Sequence, residues 1–345
     1  MARAFIAGLK GPELTADERS FLRDADPWGL ILFRRNVTTP DGVAALVTAF
    51  REAVGRSDAP VLIDQEGGRV QRLQPPQWRA YPPGAVFASL YDRDEAAGLA
   101  AARLGARLIA HDLLALGINV DCLPLADVPI DVADAVIGDR AYGTRPDKVA
   151  AIARAVAQGL LDGGVLPVLK HIPGHGRATA DSHLRLPVVD TDRATLERTD
   201  FAAFRPLADL PLGMTAHVVY TAIDPDAPAT TSRRAIDEVI RGFIGFDGAL
   251  MSDDVSMGAL SGTLAERTRA SIAAGCDLVL HCNGDLAEMQ AVAAESPLLV
   301  GEAARRAEAA LSLCKTPGAF DAAEAWERFS VMIGPVKSVT DSVVA

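Results

Sequence analysis

The sequence has little positive charge, few cysteines and no long apolar run, and each shortage excludes a class of protein. Its 345 residues include 34 Lys and Arg against 45 Asp and Glu, a formal net charge of −11. Proteins that coat nucleic acid carry the opposite charge, so we expect no nucleic-acid partner. The hydrophobic fraction of 49% supplies a large core and excludes wholesale disorder.

Neither a membrane span nor a disulfide framework is expected. The longest apolar stretch, residues 96–116, is interrupted by charged side chains, whereas a span needs about 18 uninterrupted apolar residues. The apolar run at residues 4–9 is too short for a signal peptide, so we expect a cytoplasmic protein. The cysteines form no Cys-x-x-Cys pair and are predicted to be reduced thiols in the core: Cys122, Cys276, Cys282 and Cys314.

Eight short strand-like runs alternate with segments of helical periodicity, one of which, residues 194–207, predicts a continuous helix. The runs are 4–9, 29–33, 61–64, 118–125, 165–170, 212–217, 249–252 and 277–281. Such alternation is typical of a parallel sheet with crossover helices. Eight units predict an α/β fold, a single (β/α)8 TIM-type barrel, rather than an open sheet, and no Gly-x-Gly-x-x-Gly follows the first run.

No Gly/Ser linker or internal repeat divides the chain. We therefore predict one catalytic barrel over residues 1–300. Residues 301–345 are predicted to add a short C-terminal extension, with a helix at 302–313 and a less regular tail, packed on the barrel.

Charged side chains stand at the predicted carboxyl ends of six strands. They are Asp64 and Glu66, Asp121 and Asp127, Lys170 and His171, His217, Asp253 and Asp254, and His281. In a (β/α)8 barrel the loops at this end build the active site. Their shared position predicts an active site there.

One segment, residues 170–183, holds a Lys, three His and an Asp. Proline and glycine exclude a regular helix, so His171 and His175 need not share a face as zinc ligands on a helix do. We expect Asp181 and His183, two apart in an extended loop, to point to the same side, where the carboxylate would orient the imidazole and raise its pKa. Such a pair is typical of a general acid/base.

Two further segments carry candidate chemistry. Residues 246–257 form an apolar strand ending in adjacent acids, Asp253 and Asp254. Consecutive side chains diverge, so one acid is a candidate nucleophile and the other a cap for the following helix; the residues alone do not decide which. In residues 64–72, acidic and basic side chains separated by glycines suit a grip on vicinal hydroxyls, or a tight turn with a salt bridge.

Six motifs follow one another along the chain. They are Asp-Gln-Glu-Gly-Gly-Arg-Val-Gln-Arg at 64–72, Gly-Asp-Arg-Ala-Tyr-Gly at 138–143, Lys-His-Ile-Pro-Gly-His-Gly at 170–176, Asp-Ser-His at 181–183, Thr-Ala-His at 215–217 and Ser-Asp-Asp-Val-Ser-Met at 252–257. In this order they resemble the motifs of family-3 glycoside hydrolases, specifically the single-domain bacterial β-N-acetylglucosaminidases of peptidoglycan recycling.

The resemblance implies a retaining enzyme that removes non-reducing terminal GlcNAc from peptidoglycan fragments, GlcNAc-anhydro-muropeptides. It implies Asp253 as the nucleophile that forms a covalent glycosyl intermediate, His183 as general acid/base and Asp181 as the partner of His183. It further implies that the sugar is bound by Asp64, Arg72, Arg140, Lys170 and His171. We expect a monomer without metal or cofactor.

Three alternatives stay open. A metal-dependent barrel hydrolase would use His171, His175, His183 and an Asp as ligands, although the first strand lacks the His-x-His such sites use. The second is a family-3 enzyme of other specificity, such as a β-glucosidase, or a phosphorylase. The third is a sugar-binding barrel without activity. Among the tryptophans, Trp78 is the best candidate for stacking on a sugar.

Overall fold

A computed structural model of the chain describes residues 1–130, 137–178 and 186–334. Eight parallel strands form a closed barrel, in which each strand pairs with the strands before and after it in sequence. They are β1 (Arg3–Ala7), β2 (Pro27–Leu32), β3 (Val61–Ile63), β4 (Val120–Asp121), β5 (Leu166–Ile172), β6 (Leu212–Thr215), β7 (Ala249–Asp254) and β8 (Leu278–Leu280). The (β/α)8 TIM-type fold predicted from the sequence is confirmed.

Helices surround the barrel. The α-helices that follow its strands are α1 (Ala16–Ala25), α2 (Pro40–Val54), α3 (Gly84–Arg93), α4 (Glu95–Leu114), α5 (Pro146–Asp162), α6 (Arg193–Arg198), α7 (Leu264–Ala274) and α8 (Leu286–Glu295), and a π-helix, Ala235–Ile244, follows β6. Capping boxes start α1 at Thr15 and α7 at Thr263. In each, the threonine hydroxyl accepts a hydrogen bond from the backbone amide of a Glu three residues later, and the carboxylate of that Glu accepts one from the threonine amide. In the described parts of the chain, no helix is both long and apolar enough to cross a membrane.

One predicted helix is wrong in its length. The sequence predicts a continuous helix over 194–207, but α6 stops at Arg198 and two short 3-10 turns follow, Phe201–Ala203 and Arg205–Leu207. The Thr199 hydroxyl donates back to the Thr195 carbonyl (2.7 Å), and Asp200 turns its buried side chain towards Arg177. These side-chain bonds compete with the helical ladder.

The barrel interior is filled by alternate residues of each strand. Side chains of one buried cluster come from inward positions on β3, β5 and β7: Leu62, Leu166, Val168, Ala249 and Met251. Because side chains alternate with a period of two, the next inward positions at the carboxyl ends are Asp64, Lys170 and Asp253. The barrel therefore brings these three charged side chains to the same region, at the carboxyl ends of the strands.

Two helices follow the barrel. The first, α9 (Gly301–Leu311), buries Ala307 and Ala310 in the same cluster as Ala4 and Trp28 at the amino ends of the strands. The second, α10 (Ala322–Ile333), stands where the sequence predicts a less regular tail.

Aromatic packing holds α10 against the barrel helices. The fully buried Phe329 ring lies 6.3 Å from the ring of Phe87 and 6.5 Å from that of Tyr81, measured between centroids. Gly105 on α4 makes room for this ring, since a Cβ there would come within 2.8 Å of it.

Candidate active site

A cavity of about 160 Å³ opens at the carboxyl ends of the strands. Six predicted site residues line it together: Asp64, Arg72, Arg140, Lys170, His171 and Asp253. The predicted acid/base pair, Asp181 and His183, lies outside the described residues. The structure thus brings the described part of the predicted site into one cavity.

Lys170 lies buried between two carboxylates. Its Nζ is 3.0 Å from Asp64 Oδ1 and 2.7 Å from Glu66 Oε1. Burial favours the neutral amine, but these carboxylates outweigh it and hold the pKa of Lys170 above its ordinary value. For Asp64, burial acts in the opposite sense to Lys170 and Arg72, and the two cations hold its pKa well below the ordinary value. Lys170 and Asp64 are therefore both charged at neutral pH.

Glu66 connects Lys170 to Arg140. Its carboxylate accepts two bonds from the Arg140 guanidinium, Nε to Oε2 at 2.9 Å and Nη2 to Oε1 at 2.8 Å. Burial raises the pKa of Glu66, but Lys170 and Arg140 more than compensate and lower it to about 2. Glu66 is not among the cavity-lining residues, but its ion pairs hold Lys170 and Arg140, which do line the cavity.

Glu66 is not one of the residues predicted from the sequence to bind the sugar. The motif at 64–72 names it, but strand alternation beyond β3 does not give its direction. The chain turns there into a short antiparallel ribbon, Gln65–Gly67 against Val70–Gln71. The direction of the Glu66 side chain comes from that ribbon.

Phe33 contributes a phenyl ring to the cavity wall. Its half-buried ring follows β2, and the guanidinium carbons of Arg35 and Arg72 lie 5.0 and 5.2 Å from its centroid. Arg72 also donates to Asp64 Oδ2 at 2.9 Å, which joins the ring to the charged network. The tryptophan favoured by the sequence, Trp78, is not among the lining residues and packs on the core instead.

Asp127 orients two histidines at the cavity. Its Oδ2 is 2.7 Å from His171 Nδ1, and its Oδ1 accepts the backbone amides of His171 and His175. Burial raises the pKa of Asp127, but the two histidines hold it below its ordinary value. Because a carboxylate accepts, His171 Nδ1 carries a proton, and Nε2 is the ring nitrogen left for a ligand.

The two adjacent acids on β7 differ in their surroundings. Asp254 Oδ1 accepts the amides of Ser256 (3.0 Å) and Cys282 (3.2 Å), and its Oδ2 accepts the Ser256 hydroxyl (2.6 Å). Asp253 continues the inward series of β7, and its Oδ1 accepts the Asp254 amide at 2.8 Å. The Asp254 carboxylate thus stabilises the turn after β7. The helix that follows, α7, is capped by Thr263 and not by one of these two acids.

Three strand-end residues lie behind the cavity wall. His217 is fully buried and bonds to Thr230 and to the Asp254 carbonyl. His281 bonds to Glu288 at 3.0 Å. Asp121 accepts the Gln65 amide at 3.0 Å, and burial raises its pKa well above the ordinary value. The shared position at strand ends therefore includes supporting residues as well as cavity residues.

Within the described ranges, no three His, Cys, Asp or Glu side chains are grouped as ligands for a metal ion. Burial, and then His171, lower the pKa of His175 to about 4. His183, a proposed ligand of the metal alternative, lies outside the described residues.

Comparison with known proteins decides the family. The sequence profile of the glycosyl hydrolase family 3 N-terminal domain matches residues 3–303. The chain belongs to this family. A β-hexosaminidase from Alkalilimnicola ehrlichii is 45% identical over 282 residues, which cover 81% of this chain and 80% of the relative.

Solved structures of family-3 enzymes share the fold over nearly the whole chain. Native NagZ from Neisseria gonorrhoeae has a TM-score of 0.81 and 32% identity, covering 97% of this chain and 98% of its own. The same protein in complex with N-trifluoroacetyl-D-glucosamine has a TM-score of 0.77 and 31% identity, covering 91% and 98%. The predicted family and enzyme class are confirmed: this family-3 chain is a β-N-acetylhexosaminidase.

Proposed function

We propose that the enzyme is a retaining exo-β-N-acetylglucosaminidase that removes terminal GlcNAc from peptidoglycan fragments. In the first step the Asp253 carboxylate attacks the anomeric carbon, while His183 gives its proton to the departing oxygen. In the second step His183 takes a proton from water. The oxygen of that water attacks the anomeric carbon and breaks the bond between the sugar and Asp253. We assign to Asp181 the role of orienting His183.

One observation carries the choice of nucleophile. Asp253 stands at an inward position of β7 and lines the cavity with Asp64, which follows β3 across the barrel, and with Lys170 of β5. The carboxylate oxygens of Asp254 accept hydrogen bonds from Ser256 and Cys282, which lie in the loops after β7 and β8. Both acids line the cavity, and we choose Asp253 as the nucleophile because the Asp254 carboxylate already bonds to the loops.

The charged network suits a sugar rich in hydroxyls. Ionised Asp64 accepts from hydroxyl groups, whereas Arg72, Arg140 and Lys170 donate to them, so vicinal hydroxyls find both kinds of partner. The neighbouring carboxylates hold these cations in place before substrate arrives. The relative bound to N-trifluoroacetyl-D-glucosamine supports GlcNAc as the sugar.

The finer biological setting is part of the proposal. Peptidoglycan fragments released during wall turnover carry the required terminal GlcNAc, so we place a monomeric enzyme in the cytoplasmic recycling of the cell wall. The net charge of −11 agrees with a soluble carbohydrate substrate rather than nucleic acid.

The test compares a chromogenic β-N-acetylglucosaminide with the matching β-glucoside, each with and without a chelator and with and without inorganic phosphate. We expect hydrolysis of the N-acetyl sugar alone, unchanged by chelator, with free GlcNAc as product. Loss of activity with chelator would establish the metal alternative, and a sugar phosphate as product would establish a phosphorylase.

The same assay tests the substrate and the acid/base. A GlcNAc-anhydro-muropeptide should be cleaved to GlcNAc and the anhydro-muropeptide, and failure to cleave it would contradict the recycling role. His183→Ala should slow cleavage of poor leaving groups far more than of activated ones, because an activated leaving group departs without a proton. Equal losses for both would contradict the acid role of His183.

A further inference from the structure

The Thr-Ala-His motif at 215–217 ends β6 without reaching the cavity. His217 is fully buried, and it is not among the cavity-lining residues. Its ring nitrogens nevertheless have two specific partners: Nδ1 is 2.7 Å from Thr230 Oγ1, and Nε2 is 2.9 Å from the carbonyl oxygen of Asp254. The second partner adjoins the proposed nucleophile.

The donor and the acceptor of each hydrogen bond in this group can be assigned by starting from the Asp254 carbonyl oxygen. A carbonyl oxygen only accepts, so His217 Nε2 carries a proton and donates to Asp254. Burial lowers the pKa of His217 despite the nearby Asp253 and Asp254, so the ring is neutral and Nδ1 accepts. The Thr230 hydroxyl has one proton and two acceptors within reach, His217 Nδ1 at 2.7 Å and the Ala216 carbonyl oxygen at 3.1 Å. We assign the proton to the shorter contact, with Nδ1, so the Thr230 oxygen accepts from the Thr215 hydroxyl, 2.8 Å away.

The result is a chain of hydrogen bonds with one direction, from Thr215 to Thr230 to His217 to the Asp254 carbonyl. All three side chains are completely buried. Asp254 is held from the other side by the Cys282 amide, and its own amide donates to Asp253 Oδ1 at 2.8 Å. A shift of Asp254 would therefore move the donor that orients the Asp253 carboxylate.

We propose that Thr230 and His217 are positioning residues that fix the attack direction of Asp253 through the backbone of Asp254. This inference rests on Asp253 being the nucleophile. The chain touches neither sugar nor reacting atoms, so its loss should impair the covalent step and leave sugar binding unchanged.

Thr230→Val tests the inference, because it removes one buried hydroxyl at nearly constant volume. Thr268→Val is the matched control: Thr268 is also completely buried, lies on α7, and its hydroxyl has no hydrogen-bond partner among the described residues. We expect kcat/KM of Thr230→Val to fall about ten-fold for both poor and activated leaving groups, as expected for one lost hydrogen bond. The inhibition constant of free GlcNAc should stay within about two-fold, Thr230→Ser should restore activity, and Thr268→Val should match the wild type.

Nitrogen-15 NMR of the imidazole rings gives a readout that a purely structural role does not move. We expect His217 to be neutral with its proton on Nε2 at pH 8, and we expect this signature to change in Thr230→Val but not in Thr268→Val. A proton on Nδ1 in the wild type would overturn the inference. Equal kcat/KM for the two valine variants would also overturn it, as would a ten-fold loss of GlcNAc binding in Thr230→Val.

Failure of this inference is distinguishable from failure of the proposed function. If Asp253→Asn is inactive while Thr230→Val is fully active, the nucleophile stands and the positioning chain falls. If Asp253→Asn keeps wild-type activity, the proposed function itself falls.

Discussion

Replacement of Glu66 by Gln isolates the electrostatic contribution of the buried network. The substitution keeps the shape of the side chain and removes the charge that pairs with Lys170 and Arg140. Both cations remain buried, so the variant leaves positive charge undercompensated. We expect a loss of stability and of sugar affinity together.

The magnitude follows from the pKa of Glu66, which falls from 4.5 to about 2 on folding. A shift of about 2.5 units corresponds to roughly 3 kcal/mol of folding free energy. Since the pKa is lower in the folded protein, this contribution is present above about pH 4.5 and disappears as the pH falls towards 2. By linkage, about 2 kcal/mol of it is already lost at pH 3.

Denaturant unfolding from pH 7 to pH 3 at constant ionic strength measures the effect. We expect Glu66→Gln to unfold about 3 kcal/mol more easily than the wild type at pH 7, and about 1 kcal/mol more easily at pH 3. Asp139→Asn is the control, because its ion pair with Arg69 is about half exposed and worth less than about 1 kcal/mol. A difference between Glu66→Gln and wild type that is independent of pH would refute the reasoning.

Three further substitutions test the aromatic contacts. Phe33→Leu should raise KM for GlcNAc substrates several-fold at nearly unchanged kcat, because the ring lines the cavity beside Arg72; steady-state kinetics with unchanged KM would contradict this. Trp78→Phe should leave KM unchanged, since the ring is not among the cavity-lining residues, and a raised KM would restore its role in stacking. Phe329→Ala should cost about 3–5 kcal/mol in denaturant unfolding, since it empties the buried contact of α10 with α3 and α4; a cost below 1 kcal/mol would show that α10 contributes little.

The barrel could be predicted because each strand is a short apolar run between helical segments. Strand ends were less certain: the run at 118–125 predicts a long strand, but β4 spans only Val120–Asp121. Pro124 lacks an amide proton for the ladder and follows closely. Local composition therefore finds a strand more reliably than it finds its last residue.

The second terminal helix could not be predicted from the strength of its local pattern. Only Ala325 and Phe329 are buried in α10, and a Pro-Gly pair precedes it at 317–318. Its place is set by Tyr81 and Phe87, which are more than 200 residues away in the sequence. Such packing has no signature within the segment itself.

Among the site residues, the motifs predicted those that line the cavity better than those that support them. Asp64, Lys170 and the adjacent acids Asp253 and Asp254 follow from their position at the carboxyl ends of the predicted strands. Glu66 acts through ion pairs and Asp127 through hydrogen bonds with residues far along the chain, which alternation does not reveal. The choice between the adjacent acids also needed structure, since it depends on which carboxylate the loops already use.

The central claim, that Asp253 is the nucleophile, is tested most directly by trapping the covalent intermediate. A fluorinated GlcNAc derivative that slows the second step is added, and the labelled peptide is sequenced by tandem mass spectrometry. We predict one sugar attached to Asp253, absent from Asp253→Asn and still present on Asp253 in Asp254→Asn. A label on Asp254, or turnover of the derivative by Asp253→Asn, would contradict the account.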